Sequence, residues 1–498
     1  MQGVIDGMCM AFKLNALFAT ASGVSLGIIF GCLPGLTAAM GIALLIPLSF
    51  GMPPVDAFAM LLGMYVGAIY GGSISAILIG TPGTVAAAAT TFEGPKLTAK
   101  GQSRKALEMA TVASFWGGIV SAIFLITCSP ILASIAMAFG PAEYFALALF
   151  ALTVVATLSS GNILKGMIAT CIGLYLASIG IDPVSGCFRN TFEITQLING
   201  ISLVPALVGL FAVSQVLFSL ENIFKGVSQF ISTQAISAEG LTWKEIWENR
   251  INLLRSAIIG TFIGIVPATG PSAATFIAYG EAKRFSKEPE KFGTGVLEGI
   301  AATESSNNGV TGGALIPMMT LGIPGDVLTA IMLGALMIQG LTPGPLLFQN
   351  HSETVIGIFA SFFVANIFML LIGFIAVRIL GRIITISTAI LMPVVLVLCA
   401  IGSYATNNSA FDLLVMAIFG FIGYLMIKVN IPQPPLLLAM ILGPLVESNF
   451  RRALSISRND LSIFFESYIS CGILLVTVIV VVKGVLDEYK KKKKIKQA

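Results

Sequence analysis

Residues Gly67–Thr91 read GAIYGGSISAILIGTPGTVAAAATT, and residues Ala302–Asp326 read ATESSNNGVTGGALIPMMTLGIPGD. Each is an apolar stretch interrupted by a Gly-x-Pro-Gly break. Gly71, Gly80, Pro82 and Gly83 of the first correspond to Gly313, Gly322, Pro324 and Gly325 of the second, 242 residues further on. Upstream of each, a second signature repeats: Gly27, Gly31 and Pro34 correspond to Gly260, Gly264 and Pro267, 233 residues further on. Glycine and proline inside a membrane helix free backbone donors and acceptors that lipid cannot satisfy, so such backbone survives where protein or a water-filled cavity surrounds it. Paired interruptions in the two halves of a polytopic chain point to a transporter's binding site. The chain reads as a secondary transporter.

Composition supports a bilayer setting. The 498 residues are 56% hydrophobic and 10% charged, with a mean hydropathy of +0.94, whereas soluble domains carry roughly a quarter charged residues. Met109–Ala142, Gly357–Ala376 and Ile463–Val482 are nearly or wholly free of charge, and each exceeds or reaches the roughly 20 residues that cross the hydrocarbon core. About twelve spans are expected on that measure, so the fold class is an all-α polytopic membrane protein. No cleavable signal peptide is expected, since Met1–Ala11 lacks a basic n-region. The seven cysteines are scattered without a CxxC spacing and read as free thiols. The basic tail, Lys490–Lys494 with Lys496, reads as a cytoplasmic anchor near anionic lipid rather than a nucleic-acid arm.

Four regions follow: repeat one over 14–220, a polar connector over 221–252, repeat two over 253–454, and a final span with the basic tail over 455–498. Trp243 and Trp247 of the connector stand four residues apart on an expected short interfacial helix. Loop charge then addresses orientation. The stretch EGPKLTAKGQSRKALE carries Lys96, Lys100, Arg104 and Lys105, and its counterpart QGLTPGPLLFQNHSE has no lysine or arginine. The reverse holds for EAKRFSKEPEK, with Lys283, Arg284, Lys287 and Lys291, against IPLSFGMPPVDAF, with none. Arg378 and Arg382 likewise face an apolar counterpart around Ile131–Met137. Basic loops are cytoplasmic, so the halves are expected to be inverted repeats with re-entrant, broken hairpins.

The two interrupted segments are expected to carry the chemistry. Gly67, Gly71 and Gly72 allow close approach and unwinding, and Ser73, Ser75, Thr81 and Thr84 supply hydroxyls. The second segment offers Ser305, Ser306, Asn307, Asn308 and Thr311. Amides at half-helix N-termini favour a carboxylate, while carbonyl and hydroxyl oxygens hold a bare cation. Helix packing is the plainer role for the glycines. The expected substrate contacts are Gly72, Ser73, Ser75, Asn307, Asn308, Gly309 and Thr311. The expected cation contacts are Thr81, Gly83, Thr320 and Asp326, for which Na⁺ is the candidate ion, with no cofactor otherwise. Asp326 has an alternative role as a cap for the half-helix it begins. Glu304 opens the polar run or faces a cytoplasmic vestibule. Asp56, Glu143 and Asp182, each beside a proline, read as interfacial caps, and Lys165 and Asp412 as matched or loop charges. The lone histidine, His351, falls in an expected extracytoplasmic loop, which favours sodium over a histidine proton relay. Glu304 and Asp326 leave proton coupling open.

Over nearly its whole length the chain resembles the large membrane subunit of the tripartite tricarboxylate transporter (TctA) family. The resemblance rests on Gly31–Met52, Tyr70–Ala110 and Ala302–Asp326. It implies a multi-pass protein of the bacterial inner membrane with its C-terminus in the cytoplasm, importing carboxylates such as citrate on a sodium gradient. It also implies two partners, a small four-span membrane subunit and a periplasmic solute-binding protein. Likeness to the wider ion-transporter superfamily implies an elevator-like motion, by analogy of fold. Rival readings are a self-sufficient Na⁺- or H⁺-coupled symporter, a passive channel and an intramembrane protease. IPGD at Ile323–Asp326 and PAL at Pro205–Leu207 superficially resemble aspartyl-protease motifs. Yet Ile323 stands where that motif has glycine, no Tyr-Asp dipeptide supplies a second acid, and neither HExxH nor GxSxG occurs. No enzyme activity is expected.

Overall fold

A computed structural model describes residues 2–33, 35–158, 163–182, 185–225, 239–267, 270–383 and 388–497. Pro34, connector residues 226–238, and the side chains of Arg382 and of the basic tail lie outside the described part. The first run of helices is α1 (Gln2–Ala11), α2 (Leu14–Cys32), α3 (Ala38–Ser49), α4 (Pro54–Ile79), a 3₁₀ segment (Val85–Phe92), α5 (Gly94–Ala99) and α6 (Ser103–Ala136). Next come α7 (Pro141–Leu158), α8 (Ile163–Ala177), a two-stranded hairpin pairing Gly180–Ile181 with Phe188–Arg189, α9 (Leu203–Leu207) and α10 (Ser214–Phe224). The third run is α11 (Trp243–Glu248), α12 (Arg250–Ile265), α13 (Gly270–Phe285), α14 (Leu297–Leu321), α15 (Val327–Ile338), α16 (Pro345–Asn350) and α17 (Ser352–Ile383). The last is α18 (Thr388–Asn407), α19 (Ala410–Lys428), α20 (Gln433–Ile456), α21 (Ile463–Glu466) and α22 (Tyr468–Gln497). Among the described residues seven helices are long and apolar enough to cross a membrane, and five shorter apolar helices accompany them.

The chain forms two compact units. The first comprises Met1–Ala133 with Ser219–Leu398, and the second Ser134–Phe218 with Cys399–Ala498. Each sequence half therefore gives its leading helices to the first unit and its trailing helices to the second. One edge of the division, between Phe218 and Ser219, lies beside the boundary expected at 220, and each unit draws on both halves.

In the first unit two helix pairs are held by glycine. A Cβ at Gly27 would lie 2.5 Å from Met64 O, and one at Gly31 would lie 2.3 Å from Ala68 O, so α2 and α4 touch backbone to backbone. The same contacts recur where α12 meets α14: a Cβ at Gly260 would lie 2.1 Å from Ser306 O, and one at Gly264 would lie 2.7 Å from Val310 O. These glycines act as small-residue packing surfaces, where dispersion takes over from the hydrophobic effect.

The halves also exchange arms within this unit. The 3₁₀ segment packs on α13, where Thr275 donates to Ala86 O at 3.2 Å and the Phe92 ring meets Phe276 at a tilt and Tyr279 edge-on. On the other side, α15 packs on α3, and Gln339 Nε2 donates to Ser49 O at 2.9 Å. The loops pair in the same sense. Glu93 accepts from the amides of Gly293 (2.5 Å), Gly295 (2.7 Å) and Val296 (3.0 Å) and from the Tyr279 hydroxyl (2.6 Å). Lys96 donates to Gly293 O, and Lys100 to Gly295 O at 3.2 Å. The two lysine-rich loops thus touch one another, and the two loops lacking lysine and arginine are joined by Gln339 and Ser49.

The connector ends on the expected short tryptophan helix, α11. Thr242 and Glu245 form a capping box there, and Arg250 lies over the Trp247 ring at 4.6 Å. Lys105 of α6 pairs with Glu239 (2.7 Å) and Glu245 (3.1 Å). The second unit packs α7, α8, α20 and α22 around Phe145, Phe450 and Phe464. Asp182, expected as a cap, accepts the Ser185 amide at 3.1 Å and is also buried beside Arg451 (3.1 Å) and Arg189 (3.5 Å), with Glu447 completing the cluster. Glu143 does cap, accepting from the Gly140 amide at 2.8 Å.

Candidate functional site

Both interrupted segments break later than the glycine pattern suggested. α4 runs unbroken through Gly67, Gly71, Gly72, Ser73 and Ser75, and α14 runs unbroken through the Ser-Ser-Asn-Asn run, Gly309 and Thr311. Unwinding at Gly67–Gly72 is therefore corrected: glycine four apart in lipid permits close approach without opening the hydrogen-bond ladder. The helices stop at Gly80 and Gly322, whose φ values of +70° and +71° are left-handed caps that a side chain would strain. Pro82 and Pro324 follow, and the chain folds back. A Cβ at Gly83 would lie 1.9 Å from Gly31 O, and one at Gly325 would lie 2.4 Å from Gly264 O. Each turn is thus seated against the end of the neighbouring glycine helix.

The backbone roles expected of Gly72 and Gly309 are not free ones. The Gly72 carbonyl accepts the Gly83 amide at 3.2 Å, and Gly309 sits mid-helix. Four expected hydroxyls turn back on their own helices. Ser73 donates to Tyr70 O, Ser75 to Gly72 O, Thr311 to Asn308 O and Thr320 to Ile316 O. Thr81 and Gly83 lie half-buried at the first turn. Among the described residues no hydrogen bond joins Thr81 or Gly83 to Thr320 or Asp326.

Asp326 is a helix cap. It accepts from the Thr329 amide and hydroxyl, each at 2.7 Å, and from the Tyr65 hydroxyl at 2.6 Å. Three donors already hold its carboxylate, so the capping alternative is the one the structure realises.

Asn307 and Asn308 stand apart. Both are fully buried, yet Asn308 has no partner for its Nδ2 or its Oδ1, and Asn307 has none for its Oδ1. A buried amide left without partners costs about 1–3 kcal/mol for each group, and such groups persist in native proteins for a reason. Thr84 and Asn366 are among the other residues with a buried atom in this state. Thr84 Oγ1, just past the first break, is buried without a partner, and a Cβ on Gly72 would lie 2.5 Å from it. Asn366 Oδ1 of α17 is also unpartnered, and a Cβ on Gly118 of α6 would meet it at 1.7 Å.

The correspondence that relates Gly71 to Gly313 also relates Tyr65 to Asn307 and Thr84 to Asp326. One pair, Tyr65 with Asp326, is closed by a hydrogen bond. In the other pair the shorter Asn307 and Thr84 each keep an unpartnered oxygen. The sequence reading missed Tyr65 and left Thr84 out of the site; extending the 242-residue correspondence past the glycines would have found both. It also left Glu304 open to a vestibule. Glu304 is fully buried, and the Thr90 hydroxyl of the 3₁₀ segment donates to its carboxylate.

A family model described as the tripartite tricarboxylate transporter TctA family matches residues 17–438. The chain belongs to that family. The match covers both breaks, the buried asparagines and Glu304, and ends within α20. An uncharacterized 52.8 kDa protein in the TAR-I ttuC′ 3′ region of Agrobacterium vitis is 35% identical over 471 residues, covering 95% of this chain and 93% of that protein. A second uncharacterized protein of that organism, in the TAR-II ttuC′ 3′ region, is 34% identical over 234 residues, covering 47% of this chain and 97% of that one. No solved structure matches. Membership in the TctA family makes this all-α, multi-pass membrane protein a component of a tricarboxylate transporter.

Proposed function

We propose that this TctA-family chain is the permease subunit of a tripartite uptake system in the bacterial inner membrane. It imports citrate-like carboxylates with Na⁺, receives them from a periplasmic solute-binding protein, and works with a small four-span membrane subunit. The observation that carries this reading is the buried polar atoms left without partners on Asn307 and Asn308 of α14 and on Thr84 just past the first break. The Asn308 amide offers two donors and the Thr84 hydroxyl one, a neutral donor set suited to a carboxylate. A neutral site binds the anion together with a compensating cation, which lets the loaded unit cross an apolar barrier and holds back the half-loaded one.

Two features support inverted halves and an elevator-like motion. The arms are exchanged symmetrically, the 3₁₀ segment onto α13 and α15 onto α3, and the lysine-rich loops sit together, as inversion under the positive-inside rule requires. Interleaving of both halves in each compact unit supports one unit carrying the site while the other serves as scaffold.

Asn308→Ala tests the site: citrate uptake is expected to be abolished with expression and insertion normal, and wild-type uptake would remove Asn308. Uptake of radiolabelled citrate and smaller dicarboxylates into proteoliposomes, with and without binding protein and a sodium gradient, tests the rest. Uptake indifferent to the binding protein would make the chain a self-sufficient symporter.

A further inference from the structure

Glu304 is the one fully buried carboxylate in the polar run of α14. Its Oε1 accepts the Thr90 hydroxyl, and its Oε2 lies 3.5 Å from Asn307 Nδ2. The Thr90 hydroxyl also lies 3.1 Å from that of Thr303. Among the described residues no lysine, arginine or histidine pairs with Glu304. A lone charge at this depth is expensive, and it is kept where something compensates it. Beside it, the fully buried Asn307 Oδ1 receives no hydrogen bond. The Glu304 carboxylate, the Thr90 and Thr303 hydroxyls and the Asn307 amide therefore meet at the junction of the 3₁₀ segment with α14.

We propose that Glu304, Thr90 and Asn307 form the site of the coupling cation, and that this cation is sodium. The inference rests on the sodium-coupled reading above and moves the ion from Asp326, where three donors already occupy the carboxylate. A proton on Glu304 would serve a single acceptor, Asn307 Oδ1 after a half-turn of that amide. A hard cation takes several oxygens at once. A half-turn of the Asn307 amide exchanges nitrogen for oxygen, and the oxygen then joins Glu304 and Thr90 as a ligand. One carboxylate matches one positive charge, and no group of three His, Cys, Asp or Glu stands together among the described residues to suit a divalent ion. Thr90 hangs from the arm beyond the first break, whereas Glu304 belongs to the helix before the second. An ion held between them ties the two halves together, beside Asn308, which the proposed function gives to the substrate.

The test is ²²Na⁺ binding to the purified full-length protein in detergent, with substrate absent. Wild type is expected to bind saturably. Glu304→Gln should weaken binding about tenfold or more, and Thr90→Ala and Asn307→Ala several-fold. Wild-type affinity in a folded Glu304→Gln overturns the proposal while leaving sodium coupling intact. So does loss in Asp326→Asn with retention in Glu304→Gln. If Glu304→Gln fails to insert, unchanged affinity in both Thr90→Ala and Asn307→Ala is decisive against it. Absence of ²²Na⁺ binding by the wild type, with uptake driven by a proton gradient, overturns both this site and the sodium-coupled reading.

Discussion

Tyr65 and Asp326 are separated by 261 residues and joined by a 2.6 Å hydrogen bond in a fully buried setting. A bond to a charged group contributes about 1.5–3 kcal/mol, so Tyr65→Phe should destabilise the fold by that order and lower its thermal unfolding midpoint in detergent. An unchanged midpoint would show that the bond contributes nothing net. Gly83→Ala should be harsher. Its Cβ would enter the Gly31 carbonyl at 1.9 Å, where backbone faces backbone and no side chain can yield. Monodisperse protein at wild-type yield from Gly83→Ala would refute that geometry. At this scale the sequence was readable where chemistry is local. Gly80, Gly322 and the two prolines mark the breaks because only left-handed φ and a missing N–H stop a helix there. It was unreadable where the partner is distant: nothing near Glu304 in the chain announces that Thr90, 214 residues away, covers it.

At the scale of elements, the four donors on Glu93 clamp the end of the first hairpin to the entrance of α14. Glu93→Ala should release that loop and raise amide hydrogen exchange at Gly293, Gly295 and Val296; exchange at the wild-type rate would argue against a clamp. A second tie is pH-dependent. Partial burial pushes the Glu245 carboxyl up, but the Thr242 hydroxyl and amide together with Lys105 outweigh it and leave it below the usual carboxylate range. The sign follows from that depression. The contact between α11 and α6 is fully supported above the ordinary value, roughly 4.3, and is lost as pH falls through the lower folded-state value. Exchange protection of α11 should fall in that acid window and become flat in Glu245→Gln, and a pH-independent wild type would contradict the assignment. The existence of α11 was legible from Trp243 and Trp247. The continuity of α4 was not, because glycines spaced by four signal close packing and breakage alike, and only the neighbouring α2 decides between them.

For the whole molecule, loop charge gives the sharpest expectation. In a cysteine-free background, Lys100→Cys and Gln349→Cys should be labelled from opposite sides of the membrane by an impermeant maleimide. Labelling of both from one side would end the inverted reading. The two-fold recurrence was legible as spaced glycines and prolines, but the interleaving was not. One sequence shows that two segments are alike, and it cannot show that each lends its returning arm to the other or that the compact units cut across both. The 242-residue correspondence gives two equivalent positions, Tyr65 with Asp326 and Asn307 with Thr84. In one of them a phenol reaches a carboxylate and fills the space with protein; in the other an amide and a hydroxyl are too short to meet the same need from within. On the proposed function, a carrier built this way has a single berth from a doubled plan, and its cargo is expected to count as one anion per turnover.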